Sequence, residues 1–387
     1  MKKDFTLVFV SNYINHHQIP VSNELYKALG DRYTFLQTEA VEQERINMGW
    51  DDLATKLPYV RMYHNAPDEN QKRIMDADVV VFGGTDDEEY IMPRLEAGKP
   101  VIRYSERIYK TGRWKFITPR GLRKKFHDHT RFRNKPVYLL CAGGFVAGDF
   151  RLIGAYPNKK YKWGYFPETK EYDIEKLIEH KRELTRQNDN KISILWAGRF
   201  IDWKHPEMAI KLAEYLRASG TPFNLTMVGG GEKESELKRM VDNGKLQEYV
   251  TFAGFKKPEE VRKFMEDSEL FIFTSDCQEG WGAVLNEAMN SGCAVIASNQ
   301  IGATPYLVQD GENGLTFRSR DQKSLNNKVE ILLKDACLRE NIGKKAYERI
   351  LYSWNASEAA LALLDMCREI LDGKKPVYKL EGPGSRA

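Results

Sequence analysis

One short segment, a strand followed by a turn and a helix, most restricts how this chain can fold. Residues 270–274 form an apolar run typical of a strand buried on both faces of a parallel sheet. Gly280 and Gly282 then interrupt the pattern, and residues 283–290 show the apolar spacing of a helix. A second apolar run covers 293–297. The segment predicts a βαβ unit, which requires a parallel sheet covered by helices.

The turn in this segment predicts a site for an anion next to a sugar. A turn that opens directly into a helix leaves the backbone N–H groups of Gly282, Ala283 and Val284 without helical acceptors. Glu287 shares the helix face of Ala283, and its carboxylate suits a pair of vicinal hydroxyls better than a phosphate. Glu279, in the loop, would flank the same ligand. These groups indicate a ligand that carries both phosphate and sugar.

Two cations follow an earlier strand of the same half of the chain. Residues 192–197 form a buried apolar run, and Arg199 and Lys204 lie in the loop between it and a helix that begins at Pro206. Both side chains therefore lie past the carboxyl end of a strand, where ligands of α/β sheets gather. Two positive charges there would neutralise a diphosphate. The alternative is a pair of solvated surface cations.

Residues 279–289, EGWGAVLNEAM, resemble the E-x7-E motif of the retaining glycosyltransferases of family 4, formerly group 1. Residues 198–204 are similar to the G-R-x-x-x-x-K pattern with which that family holds its donor diphosphate. The resemblance implies an α/β fold of GT-B type, in which two Rossmann-like domains with parallel doubly wound sheets face each other across a cleft. It also implies a nucleotide-sugar donor in the C-terminal domain, catalytic roles for Arg199, Lys204 and Glu279, and no metal or other cofactor.

Further donor contacts are expected from two other strand ends. Gly229 and Gly230, in the run 229–231, follow a strand and permit close backbone approach to a ligand, although a simple tight turn would use the same residues. Phe255 follows the next strand, at 250–253, where the resemblance implies backbone contacts to the nucleobase. The frequency of UDP donors in the family makes UDP the expected nucleotide.

Strands and helices alternate in the first half, which indicates a second parallel doubly wound sheet. We predict strands there at 5–10, 34–36, 59–63, 78–82, 101–104 and 137–141. The first strand is followed by neither a G-x-G-x-x-G motif nor the glycine-rich loop common in family 4. Asp76 and Asp78 form a D-x-D motif, which metal-dependent glycosyltransferases use to bind their metal ion. It precedes its strand, so we interpret it as a helix-to-strand turn.

Four residues of the first half are candidates for the acceptor side. His16 and His17 follow the first strand, and two roles stay open: contact or proton transfer with an acceptor, or helix capping and solvation. Glu106 and Arg107 follow the strand at 101–104, where family 4 enzymes often carry a histidine. They are candidates for substrate contact, and a structural ion-pair cluster is the alternative.

The positive charge of the chain is concentrated in one stretch. The net charge is +4, yet residues 103–135 contain twelve Lys or Arg and two acids, so the remainder carries 47 basic and 53 acidic residues. From 113 to 135 the cations alternate with aromatic and aliphatic residues, which suits an anionic membrane surface. A solvated basic helix is the plainer alternative. We expect no nucleic acid as partner because no nucleic-acid motif accompanies the patch.

Length and composition bound the organisation of the chain. The 387 residues, 42% hydrophobic and 29% charged, indicate two to three domains at about 150 residues each, and of these we predict two. We predict an N-terminal acceptor-binding domain at 1–165, a donor-binding domain at 166–354 and a helix at 355–371 that crosses back to the first domain. Residues 380–387 resemble an appended tail outside the fold.

Targeting features predict a cytoplasmic enzyme, peripheral at most to a membrane. The five cysteines form no disulfide pattern and favour a reducing compartment. No apolar run approaches the roughly 20 residues of a membrane span. The apolar run at 5–10 is too short for a signal peptide, so we interpret it as the first strand.

These inferences combine into one functional hypothesis with two alternatives. The resemblance implies retaining transfer of a sugar from a nucleoside diphosphate sugar to a glycan or lipid-linked acceptor, of the kind used to make surface polysaccharides. A nucleotide-sugar epimerase of the same fold is one alternative. A membrane-docking scaffold without turnover is the other.

Overall fold

The computed structural model describes residues 4–40, 56–110, 112 and 118–387, and it divides the chain into two units. Unit 1 comprises Met1–Glu168 together with Trp354–Ala387, and unit 2 comprises Thr169–Ser353. Unit 1 thus contains both ends of the chain, whereas unit 2 is one continuous segment.

Unit 1 is built on a seven-stranded parallel sheet with the strand order β3-β2-β1-β4-β5-β6-β7. Its strands are β1 Leu7–Ser11, β2 Tyr33–Gln37, β3 Val60–Met62, β4 Val79–Gly83, β5 Val101–Ser105, β6 Val137–Ala142 and β7 Lys160–Trp163. Because β1 pairs with both β2 and β4, the chain winds outward in two directions from β1. The loops after β1 and β4 therefore flank the point where the strand order reverses, which is where such sheets bind ligands.

Helices cover this sheet and bury the apolar strands between them. The described α-helices of unit 1 are α1 Ile19–Leu29, α2 Pro67–Asp76, α3 Met92–Glu96, α4 Pro119–Asp128, α5 Val146–Leu152 and, from the end of the chain, α14 Ala356–Leu371. The last helix packs against α1 and buries nine of its own residues. The strands β1, β4 and β6 are buried at every position, as expected for parallel strands covered on both faces.

Unit 2 repeats this architecture with a six-stranded parallel sheet in the order β10-β9-β8-β11-β12-β13. Its strands are β8 Ile192–Ala197, β9 Phe223–Val228, β10 Val250–Gly254, β11 Leu270–Phe273, β12 Ala294–Ser298 and β13 Leu315–Phe317. Since β8 pairs with both β9 and β11, the strand order reverses beside β8. The loops that follow β8 and β11 therefore meet at the ligand-binding edge.

The helices of unit 2 lie around this sheet, and several of them pack apolar side chains against it. They are α6 Ile174–Gln187, α7 Glu207–Ala218, α8 Glu234–Asn243, α9 Pro258–Asp267, α10 Val284–Asn290, α11 Thr304–Leu307, α12 Gln322–Lys334 and α13 Ala336–Tyr352. None of the helices in the described part of the chain has the length and apolar composition needed to cross a membrane.

The predicted fold class, two Rossmann-like domains of GT-B type with parallel doubly wound sheets, is confirmed. The predicted βαβ unit is present as β11, α10 and β12, with each boundary within about one residue of its expected position. Asp76 and Asp78 stand at the end of α2 and before β4, and the Asp78 carboxylate accepts from Thr6, as a turn residue does.

The expectation that residues 380–387 lie outside the fold is wrong. Lys162 donates its backbone N–H to Ser385 O at 2.7 Å, and Gly384 donates to Lys162 O at 2.9 Å. The segment adds to β7, which is otherwise the edge strand of the unit 1 sheet. Backbone groups of an edge strand need partners, and the tail supplies them irrespective of its polar sequence.

Candidate functional site

The loop between β11 and α10 is shaped by a glycine that no other residue can replace without strain. Gly282 has φ +92°, and a Cβ at this position would lie 2.6 Å from Cε1 of Phe273. The loop thus lies directly against the ring of Phe273, the last residue of β11. The backbone N–H groups of Gly282, Ala283 and Val284 donate to no acceptor among the described residues, as the sequence predicts. Three adjacent bare amides are able to bind an anion.

Lys204 and Glu279, both predicted site residues, form an ion pair. Lys204 Nζ lies 2.6 Å from Glu279 Oε2, and each side chain is only 12% exposed. Ser275 Oγ donates to the same carboxylate oxygen at 2.9 Å. The Glu279 side chain also lies beside the segment Gly282 to Val284, which we call the amide loop. A Cβ added to Gly282 would lie 3.2 Å from Glu279 Cγ. The cation, the acid and the free amides therefore occupy one site.

Aromatic rings fix the position of the Lys204 ammonium. Its Nζ lies 4.7 Å from the ring centroid of Trp203 and 5.7 Å from that of Phe273, distances at which a cation is attracted to a ring face. The stem passes Gly198, where an added Cβ would lie 3.2 Å from Lys204 Cδ. Few other positions are open to this side chain.

Arg199 differs from Lys204 in its surroundings. It is exposed, and its guanidinium has no hydrogen-bond or ion-pair partner in the described residues. It follows β8, so it stays on the same strand-end edge as Lys204. An exposed cation without a partner among the described residues can reach a ligand without first breaking another contact.

Glu287 lies on α10 one turn beyond the amide loop, where it is partly buried. Arg262 Nη2 lies 4.0 Å from Glu287 Oε1, and Arg262 Nη1 donates to Asn290 Oδ1 at 2.9 Å. Burial raises the pKa of Glu287 above its ordinary value, and the positive charge of Arg262 opposes this shift. The sequence did not single out Arg262, which lies on α9 and meets Glu287 only in the folded chain.

The glycine run after β9 lies close against neighbouring loops of the protein, and the expected approach to a ligand stays a prediction. A Cβ on Gly229 would lie 1.9 Å from Gly198 O, and one on Gly230 would lie 2.6 Å from the ring of Phe255. Phe255 is 59% exposed, so its ring covers the Gly230 backbone and presents its other side to solvent. The loops after β8, β9 and β10 are thus in direct contact.

In unit 1, the structure brings three of the four acceptor-side candidates into one group. The rings of His16 and His17 lie 3.8 Å apart, and the His17 ring stacks on Tyr165 at 5.8 Å with an angle of 2°. Tyr165 donates its hydroxyl to Glu106, which also binds Lys110. Burial raises the pKa of Tyr165 well above its ordinary value, which keeps this hydroxyl a donor. Tyr165 is the connecting residue that the sequence analysis missed.

Arg107, the fourth candidate, is engaged elsewhere. Its Nε lies 3.3 Å from Asp149 Oδ2, and the two side chains are 8% and 0% exposed. Arg103 likewise donates to both carboxylate oxygens of Glu88, at 2.8 and 2.7 Å. Each arginine thus has its own acid, buried for Asp149 and partly buried for Glu88, which favours the alternative of structural ion pairs for the arginines that flank Glu106.

One group of described residues has ligand atoms close enough together to bind a metal ion, but both of its acids already pair with basic side chains. Glu88, Asp128 and His129 place such atoms within 4.8 Å of one another. The Arg103 guanidinium binds Glu88, Lys124 Nζ lies 2.8 Å from Asp128 Oδ2, and His129 Nδ1 pairs with the Tyr156 hydroxyl at 2.8 Å. The charge of these acids is therefore balanced within the protein.

The basic patch exposes apolar side chains together with its cations. Residues 113–117 lie outside the described residues. The rest includes α4, on which Leu122 and Phe126 are 39% and 58% exposed, one helical turn apart. Arg120 and Arg123 on the same helix are exposed as well. We call the exposed side chains of α4 the basic-apolar surface.

Most of unit 2 matches a known family model. Residues 178–349 match the family model described as "Glycosyl transferases group 1". Among curated proteins, the chain is 29% identical over 139 residues to the amylovoran biosynthesis glycosyltransferase AmsK of Erwinia amylovora, covering 35% of this chain and 34% of that protein. It is 28% identical over 223 residues to the N-acetyl-alpha-D-glucosaminyl L-malate synthase of Bacillus anthracis, covering 56% and 57%. The chain spans between about a third and somewhat more than half of the length of these relatives.

Solved structures share the fold over nearly the whole chain. HepE of Anabaena in complex with UDP superposes with a TM-score of 0.69 at 16% identity, covering 95% of this chain and all of that one. WaaG, described as a glycosyltransferase involved in lipopolysaccharide biosynthesis, superposes with a TM-score of 0.58 at 15% identity over 95% and 100%. At these identities the likeness concerns the fold alone.

Proposed function

We propose that this chain, whose residues 178–349 belong to the group 1 glycosyl transferases, transfers a sugar from a nucleoside diphosphate to a hydroxyl of a glycan. The observation that carries the proposal is the Lys204–Glu279 pair beside the three free amides of Gly282 to Val284. It combines a cation and N–H donors for phosphate with a carboxylate for hydroxyls.

The diphosphate would bind between Lys204 and the amide loop. Donors fixed in a partly buried position stabilise negative charge more than the same donors in water. Lys204 is held by Glu279 and two rings, so it needs little reorganisation when charge develops on the leaving group. Arg199 would add a second cation from solvent. These charges are the basis on which we propose that the reaction needs no metal ion.

The sugar and the ribose would be held by the two glutamates. Glu279 presents one oxygen to Lys204 and Ser275 and has a second oxygen for a hydroxyl of the donor sugar. Glu287, one turn into α10, would accept from the ribose hydroxyls. Phe255, exposed beside Gly230, offers a ring face to the nucleobase. UDP is our first probe because HepE, which shares the fold, was crystallised with UDP and with UDP-glucose.

We propose a retaining reaction without a general base from the protein. The bond between the anomeric carbon and the diphosphate oxygen breaks, and the acceptor oxygen forms its bond on the same face. The proton of the acceptor hydroxyl moves to the leaving phosphate oxygen, so the products are the glycoside and the nucleoside diphosphate. Lys204 and the free amides would stabilise the diphosphate as it departs.

The acceptor would be handled by unit 1 and supplied at a membrane. His16, His17 and Glu106 form one hydrogen-bonding and stacked group near the strand-order reversal of that sheet. Relatives named for amylovoran and colanic acid biosynthesis favour a surface polysaccharide, whose precursors we take to be lipid-linked. The basic-apolar surface suits the anionic headgroups of such a membrane.

Neither alternative function is favoured. An epimerase would isomerise the donor without an acceptor, whereas the curated relatives are named as transferases and a synthase. A scaffold without turnover has no need for the buried Lys204–Glu279 pair.

Nucleotide binding and transfer test the proposal directly. Isothermal titration with UDP, GDP and ADP, followed by transfer assays with the matching nucleotide sugars, should give one preferred nucleotide in the wild type. Lys211→Ala, on the exposed face of α7, is a charge-matched control for Lys204→Ala. Binding of no nucleotide, or equal binding by Lys204→Ala, contradicts the proposed site.

A further inference from the structure

His205, the residue after Lys204, has an unusual backbone conformation. Its φ of 49° and ψ of 51° lie in the left-handed region, which non-glycine residues seldom occupy. Such conformations persist when the surroundings hold them in place. Here both ring nitrogens are held: Nδ1 lies 2.9 Å from Glu207 Oε1, and Nε2 lies 3.3 Å from Asp276 Oδ2.

Two carboxylates facing the two ring nitrogens require the imidazolium form. A neutral imidazole has one donor nitrogen and one acceptor nitrogen, so it can satisfy only one of these carboxylates. The hydrogen bond to Glu207 raises the pKa of His205 above its ordinary value of 6.5, against the opposing effect of burial. Although burial acts in the other direction, the hydrogen bond from His205 lowers the pKa of Glu207 to about 2.

The other charges around His205 are also accounted for. Lys233, before α8, lies 3.4 Å from Glu207 Oε2 and 3.0 Å from Asp202 Oδ1. It also lies 4.0 Å from Glu236. On the opposite side, Asp276 Oδ1 accepts from Gln278 N at 2.9 Å. Within the described residues, His205 is therefore the cation between Glu207 and Asp276.

His205 joins the two loops that carry the proposed donor site. Asp276 lies in the loop with Glu279, and its N–H donates to Trp203 O at 2.9 Å. Thr274 Oγ1 donates to Lys204 O at 2.7 Å. The Lys204–Glu279 ion pair and the His205–Asp276 contact are the charged links between these loops, and the second depends on the protonation of an imidazole.

We propose that His205 is a positioning residue, which as an imidazolium holds the Lys204 loop against the Glu279 loop and thereby makes nucleotide binding depend on pH. This inference rests on the proposed function, because it assumes that the Lys204–Glu279 site binds the donor diphosphate. His205 itself touches no substrate. When it loses a proton, one ring nitrogen becomes an acceptor facing a carboxylate. Because Nε2 makes the longer contact, 3.3 Å against 2.9 Å for Nδ1, we expect Nε2 to lose the proton and the link to Asp276 to be lost.

The sign of the effect follows from the raised pKa. The unfolded chain releases the proton near pH 6.5, whereas the folded protein keeps it to higher pH. The stabilisation of the loop pair is thus fully present below about pH 6.5 and is lost as the pH rises through the higher folded pKa. Nucleotide affinity should fall over the same interval.

The test compares wild type with His205→Asn from pH 5.5 to 9. Asparagine tolerates the left-handed backbone but carries no charge, so it removes the titration while keeping the conformation. We expect wild-type UDP affinity and kcat/KM to fall about tenfold to a hundredfold as pH rises, and His205→Asn to stay at the weaker level throughout. UDP itself also changes charge with pH, so the two proteins are compared at the same pH, where the charge of UDP is identical. His180→Asn is the control, since His180 makes a carboxylate contact of 2.8 Å with Asp267 on the unit 2 surface.

The outcomes separate this inference from the proposed function. If wild type binds no nucleotide at any pH, the proposed function fails. If wild type binds but His205→Asn keeps the wild-type pH profile, the role of His205 is overturned. Should His205→Asn unfold, Asp276→Asn serves instead: removal of one carboxylate should move the wild-type fall in affinity to lower pH, and an unmoved fall overturns the inference.

Discussion

Lys204 Nζ and Glu279 Oε2 lie 2.6 Å apart although the residues are 75 positions apart in the chain. Each comes from a loop after a strand, β8 or β11, and these strands are neighbours in the sheet of unit 2. The ion pair is therefore a product of the strand order: the point where the chain reverses its winding direction brings the two loops to one edge. It places opposite charges where, in the proposed function, the diphosphate and the sugar of the donor meet.

Removal of the Lys204 charge should abolish most turnover. Lys204→Ala deletes the fixed cation and leaves Glu279 with Ser275 as its remaining partner, so a diphosphate would meet uncompensated negative charge. We expect kcat to fall about 10²- to 10³-fold with the preferred donor. Lys211→Ala should retain wild-type rates. Wild-type turnover in Lys204→Ala would remove the cation from the mechanism.

Gly282 should be intolerant of even one methyl group. Gly282→Ala introduces a Cβ 2.6 Å from the Phe273 ring at a φ of +92°. The positive φ costs about 1–2 kcal/mol and the overpacking about 1–3 kcal/mol.

A second glycine of unit 2 separates these two effects. Gly311 has φ +82° with nothing within 4 Å of an added Cβ, so Gly311→Ala carries the backbone cost alone. Chemical denaturation of both variants should show the larger loss of unfolding free energy in Gly282→Ala. Equal losses would mean that the loop moves away from Phe273 at no cost.

The buried carboxylate of Glu287 should lower the stability of the folded protein at neutral pH while it contributes to donor binding. Burial raises its folded pKa above the ordinary 4.5, with Arg262 opposing, so the folded state holds the proton more tightly than the unfolded chain. Stability therefore falls as the pH rises from about 4.5 through the raised pKa. Glu287→Gln removes this loss, and its Tm at pH 7 should equal or exceed that of wild type.

The same substitution should weaken nucleotide binding. A carboxylate that accepts from ribose hydroxyls forms charge-assisted hydrogen bonds, and their loss should raise the Kd for UDP about tenfold with a small effect on kcat. Glu248→Gln, on an exposed stretch of unit 2, is the matched control. An unchanged Kd in Glu287→Gln would remove Glu287 from the donor site.

The strands and loops of the proposed donor site were predictable from the sequence because their signals are local. The apolar runs, the glycines and the strand-end cations each follow from a few neighbouring residues, and the strands β8 and β11 have the predicted starts. Strand β7 was missed because two of its four residues are lysines that stay partly exposed, so it lacks the apolar run of a buried strand. The tail that covers β7 pairs through its backbone, which leaves no side-chain pattern to detect.

Contacts between segments that are distant in the chain could not be predicted from the sequence. The sequence analysis noted His16, His17 and Glu106 separately, but only the folded chain shows that Tyr165 connects His17 to Glu106. Arg107 was proposed for substrate, yet Asp149, supplied by α5, engages its guanidinium. Such pairings depend on which helix packs beside which strand, and the spacing of charges along the chain does not encode that.

The basic-apolar surface should bind anionic vesicles through both of its components. Leu122→Ser with Phe126→Ser removes the apolar contact, and Arg120→Glu with Arg123→Glu reverses charges, each worth about 1 kcal/mol at a headgroup surface. Either double variant should lose about tenfold or more in co-flotation with anionic vesicles, and none should bind neutral ones. Lys27→Glu with Lys72→Glu, on other helices of unit 1, matches the charge change and should bind as wild type does. Equal binding of wild type to anionic and neutral vesicles would contradict the electrostatic part of this prediction.

Removal of residues 380–387 should loosen the edge of the unit 1 sheet. The segment accepts from Lys162 N at 2.7 Å and donates from Gly384 N at 2.9 Å and from Ala387 N, to Lys160 O, at 3.3 Å. Without the segment, these groups of β7 must bind water instead, and the free energy of unfolding of unit 1 should drop by about 1.5–4.5 kcal/mol, at about 0.5–1.5 kcal/mol for each of the three lost hydrogen bonds. Hydrogen exchange distinguishes this from a general loss of stability, because the Lys162 amide should exchange faster while amides of β8 in unit 2 keep their protection. Unchanged exchange at Lys162 in the truncated chain would show that the tail does not protect this edge.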